Sequence, residues 1–270
     1  MFTVTRVWCP VNRALKGRVQ CFFGQKMSTV QEDRAKFLAM SQEEKRKLYK
    51  DYTTLAQVPT WDEYFRESRD RLRKQFSETY KTGEEHGLVE CEVDPELNKK
   101  ISLWKGNLVK LEADVIVNAA NESLLGGGGV DGAIHSAAGP KLKNECRDLK
   151  GCKTGDAKVT AGYALPARYV FHTVGPKGEK PQLLESCYNK TLNLLLQENQ
   201  CSIAFPCIST GIYGYPQEKA ARVALGTVRK FLEQNGSKVE RVVFCLFLPE
   251  DVKIYENLSQ VYFPVEKSLL

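Results

Sequence analysis

From Lys99 onward, short apolar runs alternate with longer stretches whose apolar residues recur at helical spacing. The runs at 101–104, 114–118, 157–161, 168–174, 202–206 and 241–248 predict strands. Stretches near 130–138, 141–149, 182–198, 216–234 and 251–259 predict helices. Alternation of this kind predicts an α/β fold, with helices layered around a mixed or mostly parallel sheet. The longest apolar run, Val242 to Leu248, suits a strand buried on both faces. It is far shorter than the ~20 residues that a membrane-spanning helix needs.

The preceding region has a different texture. Residues 28–80 are charged and helical in pattern, with capping boxes at Ser41-Gln42-Glu43-Glu44 and Thr60-Trp61-Asp62-Glu63. The second box opens a helix that runs to about Phe76. Residues 81–98 are polar, contain Gly83, Gly87 and Pro95, and read as a linker.

Charge modifies this picture in one place. The chain of 270 residues carries a net charge of +6, but Arg6, Arg13, Lys16, Arg18 and Lys26 stand in a first segment that has no acidic residue. The remainder lacks the basic excess that contact with a nucleic-acid backbone calls for. Residues 1–26 also place Val4, Trp8, Val11, Leu15, Val19 and Phe22 near one helical stripe. Together these are marks of a mitochondrial transit segment, although Pro10 interrupts the helix and serine is absent. A basic tail without a targeting role is the alternative, and Met27 offers a second start.

Nine cysteines, an odd number without a C-x-x-C pair, predict reduced thiols and no disulfide framework. His86, His135 and His172 have no metal-motif spacing, so no zinc site is expected.

The candidate chemistry lies in two loops that follow strands. Val115 to Asn118 leads through Ala119, Ala120 and Asn121 to Gly126-Gly127-Gly128-Gly129, then Val130, Asp131 and Gly132. Four glycines bury no side chain and are costly to order, so such a run belongs where backbone must approach a ligand closely. Amides there, just before a helix N-terminus, favour a phosphate. The second loop, Phe205 to Pro216, contains Cys207, Ile208, Ser209, Thr210, Gly211, Ile212, Tyr213 and Gly214, and would close over the other side of a diphosphate. In open α/β sheets both loops would reach the carboxyl edge, where ligands bind.

Individual residues carry two readings each. Asp131 either caps the next helix or, beside a phosphate site, binds a ribose hydroxyl or orients a water. His135, four residues on, shares its helix face and takes a supporting role. Asn118 and Asn121 either make the turn or bind sugar hydroxyls. Cys207 has no local histidine partner and reads as packing. Phe247, at the end of the last apolar run, either stacks on a base or fills the core. The glycines formally fit G-x-G-x-x-G, but eight residues separate them from the strand and no acid follows at the Rossmann position. The Walker pattern fails, because no Lys-Ser/Thr follows.

Taken together, these residues resemble the macro domain family, in its MacroD-type class. The likeness rests on Val117-Asn118-Ala119-Ala120-Asn121, Leu124 to Gly132, Ala133-Ile134-His135, Cys152-Lys153-Thr154-Gly155, His172-Thr173-Val174-Gly175-Pro176 and Phe205 to Pro216. It covers roughly residues 99–265. The Pro59-Thr60-Trp61 region resembles the lead-in of the class, and the basic N-terminus its mitochondrial member.

This resemblance implies a three-layer α/β/α domain with a mixed, mostly parallel sheet, preceded by a short helical extension. The divisions are then 1–26, 27–98, 99–265 and a tail at 266–270. It implies a hydrolase that binds ADP-ribose and removes it from Asp and Glu side-chain esters of proteins, and that deacetylates O-acetyl-ADP-ribose. Neither cofactor nor metal is implied, and a monomer is expected. Membrane partners are not expected, and nucleic acid enters only as an ADP-ribosylated substrate. Location would be mitochondrial, or cytoplasmic and nuclear from the Met27 start.

By the same resemblance, Asn121 orients the distal ribose and Asp131 positions or activates the water. Ala119, Ala120 and Gly126 through Val130 face Ile208 through Gly214 around the diphosphate, and Phe247 lies near the adenine or its ribose. The adenine element of the family is Gly-Asp-Ile, but here it is Gly106-Asn107-Leu108. Asn107 accepts through a neutral amide, more weakly than a carboxylate would. Two rival classes remain, a reader that binds ADP-ribose without cleaving it and a nicotinamide dehydrogenase.

Overall fold

The chain enters through the helical extension. The structure, a computed structural model, describes residues 28–80 and 91–267. The expected transit segment 1–26, the Met27 start, residues 81–90 of the expected linker and residues 268–270 lie outside the described residues. Helices α1 (Thr29–Ala39) and α2 (Gln42–Arg46) precede a two-residue strand, β1 (Thr53–Thr54), and the long helix α3 (Trp61–Thr79). Ser28, Ser41 and Thr60 each close a capping box, with Gln31, Glu44 and Glu63. Both capping boxes read from the sequence therefore start helices. A short helix, α4 (Pro95–Asn98), ends the stretch that reads as a linker.

The remaining elements alternate. In order they are β2 (Ile101–Trp104), β3 (Leu111–Glu112), β4 (Val115–Ala119), α5 (Gly129–Ala138), α6 (Pro140–Asp148), β5 (Ala157–Ala161) and β6 (Tyr169–Thr173). Then come α7 (Pro181–Gln197), β7 (Ser202–Phe205), α8 (Gln217–Asn235), β8 (Arg241–Cys245) and α9 (Pro249–Tyr262). The main sheet has six strands in the order β2-β8-β7-β4-β6-β5. Its pairs are parallel except β5 with β6. The extension joins the fold through β1, which pairs with β3 in a separate two-stranded ribbon.

Strand periodicity sorts the side chains into two cores. Val115 and Val117 of β4 face one layer, with Leu192 of α7, Leu225 of α8, Leu258 of α9 and Trp61 and Phe65 of α3. Ile116 faces the other, with Ile134 of α5 and Leu142 of α6. A three-layer α/β/α macro-domain fold results, with the extension packed onto both helical layers.

One strand is shorter than its apolar run. Residues 241–248 read as a strand, yet β8 stops at Cys245. Leu246 still donates to the Trp104 carbonyl, but Pro249 opens α9 and the chain must turn before it. Phe247 is thereby left 81% exposed, which excludes the core reading for it.

The extension also buries a cation. Lys45 of α2 is only 1% exposed and its Nζ donates to the Ala167 carbonyl at 2.8 Å. Burial, aided by the charge of Arg168, pushes this ammonium down to about 7. Between that value and the ordinary lysine range the unfolded chain holds a proton that the folded one does not, so stability rises with pH there. The slope from one such proton is up to about 1.4 kcal/mol per pH unit. Lys45→Met is expected to flatten it in denaturant titrations from about pH 7 to 10, and an unchanged slope would count against this assignment.

Candidate functional site

Strands β4 and β7 are parallel neighbours, so the loops that follow them leave the sheet at one edge. Between these loops lies a cleft. Ala119, Ala120, Asn121, Gly127, Gly128 and Gly129 line one side of it, together with Val130 and Asp131. Ser209, Gly211, Ile212 and Tyr213 line the other. Gly175 and Cys207 complete the wall, neither of which the sequence pointed to as a site residue.

Gly128 is the N-cap of α5 and supplies no side-chain hydrogen bond, so the helix start that borders the cleft keeps its amides for a ligand. Two glycines are demanded by close approach. A Cβ on Gly132 would stand 2.5 Å from the Gly127 carbonyl, and one on Gly175 would stand 2.1 Å from Ser209 Oγ. Gly132→Ala is expected to force the glycine loop off α5 at a cost of about 1–3 kcal/mol, readable as a lower urea midpoint. An unshifted midpoint would mean that the loop yields freely. Ser209 itself has φ 69°, a left-handed value that is uncommon for a residue with a side chain. Its hydroxyl is buried without a hydrogen-bond partner among the described residues. Both features suit a site where a ligand oxygen completes the set.

At the floor stands Asp131. The capping reading does not hold for it, because it lies inside the first turn of α5 and its side chain turns inward. It is 4% exposed. Asn118 Nδ2 donates to Oδ1 at 2.7 Å and Asn121 Nδ2 to Oδ2 at 3.3 Å. Asn121 also donates to the Gly126 carbonyl at 3.0 Å, and its Oδ1 accepts from the amide and hydroxyl of Ser123. This amide therefore staples the glycine loop to the carboxylate as well as bordering the cleft. His135 Nε2 lies 3.5 Å from Asp131 Oδ1, behind the cleft wall. Burial pushes the imidazole below its ordinary value against the pull of the Asp131 charge, so it meets the carboxylate as a neutral ring at pH 7.

Several expected residues do not reach the cleft. Ile208 and Leu108 are buried in the two cores, so neither offers it a side chain. Gly126, Thr210 and Gly214 belong to the two loops but not to the cleft wall. Gly106, Asn107 and Phe247 also stand outside the wall, farther along the same edge. Cys245 Sγ contacts the Gly106 carbonyl at 3.3 Å, which sets the loops after β2 and β8 side by side. Only an elongated ligand would touch both these loops and the cleft.

Thiol and metal chemistry find little support here. Burial, then the Asp251 charge, pushes Cys207 well above the ordinary thiol value, so it is no ready nucleophile. The ligand atoms of His135, Cys146 and His172 do converge within 4.8 Å, which spacing along the chain did not reveal. Yet His172 Nε2 stands 2.8 Å from Thr160 Oγ1, and burial pushes Cys146 up to about 12. Cys146 is thus held as the thiol and His172 Nε2 is engaged by Thr160, which makes the set a poor fit to a cation.

Comparison with known proteins agrees with this geometry. A family model for the Macro domain matches residues 117–224. The chain is 48% identical to ADP-ribose glycohydrolase MACROD2 of Xenopus laevis over 86% of its length, but spans only 54% of that relative. It is 44% identical to ADP-ribose glycohydrolase MACROD1 of Rattus norvegicus, covering 96% of each chain. The Trypanosoma brucei macrodomain solved in complex with ADP-ribose superposes with a TM-score of 0.68 at 36% identity, covering 86% of this chain and 90% of that one. A sheet of this order, a glycine loop opening α5 and a relative matched nearly end to end lead to one conclusion: the chain belongs to the MacroD family of macro domains.

Proposed function

We propose that this protein binds ADP-ribose and hydrolyses the ester that joins it to Asp or Glu side chains, and likewise deacetylates O-acetyl-ADP-ribose. The observation that carries the reading is Asp131, a carboxylate buried at the cleft floor beside a helix N-terminus and held there by two asparagine amides. Placing a negative group next to a phosphate site is unfavourable without a task for it. The α5 amides and the loop after β7 neutralise the diphosphate. The distal ribose then lies against Asn121 and Asp131. Asp131 orients a water and accepts its proton as the water oxygen bonds to the acyl carbon. The acyl–oxygen bond breaks, and the proton passes to the departing ribose hydroxyl.

Two measurements test the proposal. Calorimetry with ADP-ribose is expected to show one saturable site per chain. Mass spectrometry of an Asp/Glu-modified protein is expected to show loss of the ADP-ribose mass when the protein is added. Binding without loss of mass would leave a reader in place of an enzyme.

Two finer points extend the proposal. Asn107 Oδ1 accepts from the Val109 amide at 3.2 Å, and its loop lies beside the Phe247 loop, the place this reading gives to the adenine. Asn107→Asp is expected to tighten ADP-ribose binding by about 1 kcal/mol, roughly fivefold, because a charged acceptor replaces a neutral one. Equal affinities would remove Asn107 from base recognition. The basic, acid-free segment 1–26 is proposed to direct mitochondrial import. A fluorescent protein carrying residues 1–26 that stays in the cytosol would refute this.

A further inference from the structure

The sheet register sets two polar side chains abreast beneath α5 and α6. Asn118 of β4 is paired with His172 of β6, and both are fully buried. Asp131 and His135 of α5 and Cys146 of α6 are the titratable groups that meet this pair. Lys158, next to His172 in register on β5, sends its ammonium to the Leu149 carbonyl instead. His172 does not line the cleft, so any effect on chemistry there passes through Asn118 and Asp131.

Counting hydrogens gives the network a direction. A carboxylate oxygen 2.7 Å from an amide atom must accept, so the atom of Asn118 facing Asp131 is the NH₂ group. The flipped amide would set two oxygens against each other. The second hydrogen of that group reaches His172 Nδ1 at 3.1 Å, which must then offer a lone pair. The ring proton therefore sits on Nε2 and is donated to Thr160 Oγ1 at 2.8 Å. Thr160 passes its own hydroxyl hydrogen to the Val170 carbonyl at 3.4 Å. Burial, with a smaller contribution from His135, pushes His172 down to about 3, so the ring is neutral at physiological pH. Asn118 Oδ1 is buried and has no hydrogen-bond partner among the described residues, so its two Nδ2 bonds orient the amide.

We propose that His172, held by Thr160 as the neutral Nε2–H tautomer, is a positioning residue that acts through Asn118 to fix the Asp131 carboxylate at the cleft floor. The kinetic part of this proposal rests on the hydrolase reading. The tautomer does not.

The first test is therefore spectroscopic. Long-range ¹H–¹⁵N spectra of the labelled full chain are expected to show His172 Nδ1 unprotonated and Nε2 protonated, unchanged from about pH 5 to 8. A proton on Nδ1, or a doubly protonated ring, would overturn the proposal. The second test is kinetic. His172→Leu keeps apolar volume but removes the acceptor. It is expected to lower kcat by about 10²-fold, the cost of misplacing a reacting group by about 1 Å, while the Kd for ADP-ribose stays close to that of the wild type. His172→Asn puts an amide oxygen near the Nδ1 position and is expected to recover most of the loss. Thr160→Val, which frees the tautomer and leaves the packing, is expected to fall between them. Wild-type kcat in His172→Leu, affinity lost in step with kcat, or no rescue by asparagine would each overturn the relay. Should the wild-type protein cleave no ester, the hydrolase reading fails instead, and the tautomer spectra still decide the relay.

Discussion

Asp131→Ala is expected to lower kcat for ester hydrolysis by about 10²–10⁴-fold, the usual contribution of a positioned general base. Binding of ADP-ribose is expected to persist. The carboxylate makes its described hydrogen bonds to Asn118 and Asn121, not to the glycine-loop amides proposed to hold phosphate. Removing its charge also relieves repulsion with a bound diphosphate. The substitution leaves two amide hydrogens of those asparagines without their acceptor. That costs about 1–3 kcal/mol and is expected to lower the melting temperature without unfolding the chain. Alanine suits the helix, so α5 itself is not threatened. Three measurements separate these effects: single-turnover product analysis, calorimetry and a thermal melt. A rate near that of the wild type would remove Asp131 from the reaction. Loss of rate and of affinity together would make its role structural.

The second large effect is on stability, at a residue that does not line the cleft. Trp61→Ala is expected to destabilise the chain by about 3–5 kcal/mol, as large aromatic truncations in cores do. Trp61 is fully buried, its ring packs edge-on against Phe65 with centroids 5.6 Å apart, and its Nε1 donates to the Phe263 carbonyl at 2.8 Å. Alanine would leave a cavity and an unpaired buried carbonyl at once. Total stability of a domain is about 5–15 kcal/mol, so a loss of this size is plain in a denaturant titration. Equal midpoints for Trp61→Ala and the wild type would mean that α3 is not part of the cooperative unit.

Much of the architecture was legible in the chain because it is written in short-range periods. Val115, Val117 and Ile116 alternate, and that parity alone sorts them between two helical layers. Capping boxes at Ser41 and Thr60 are complete within four residues, so they start helices wherever the chain is folded. Glycine has no Cβ, so a run of four announces close backbone approach without any knowledge of neighbours. The two glycine-bearing loops were therefore recognisable, as was the α/β class.

Tertiary structure decided the rest. Asn118 reads from the sequence as a turn residue or a sugar ligand, yet it meets His172, 54 positions away, because β4 and β6 pair in one register and no other. Asp131 carries both a capping and a water-orienting reading in the sequence, and its place inside the first turn of α5, with the Asn118 amide on its carboxylate, decides against the cap. Trp61 reaches a carbonyl 202 residues on, and Phe247 leaves its apolar run for solvent because a proline opens the following helix. Local propensity and periodicity act over a few residues and survive in any topology. Strand order and register are chosen by the packing of the whole chain, and the partners of each buried polar group follow from that choice.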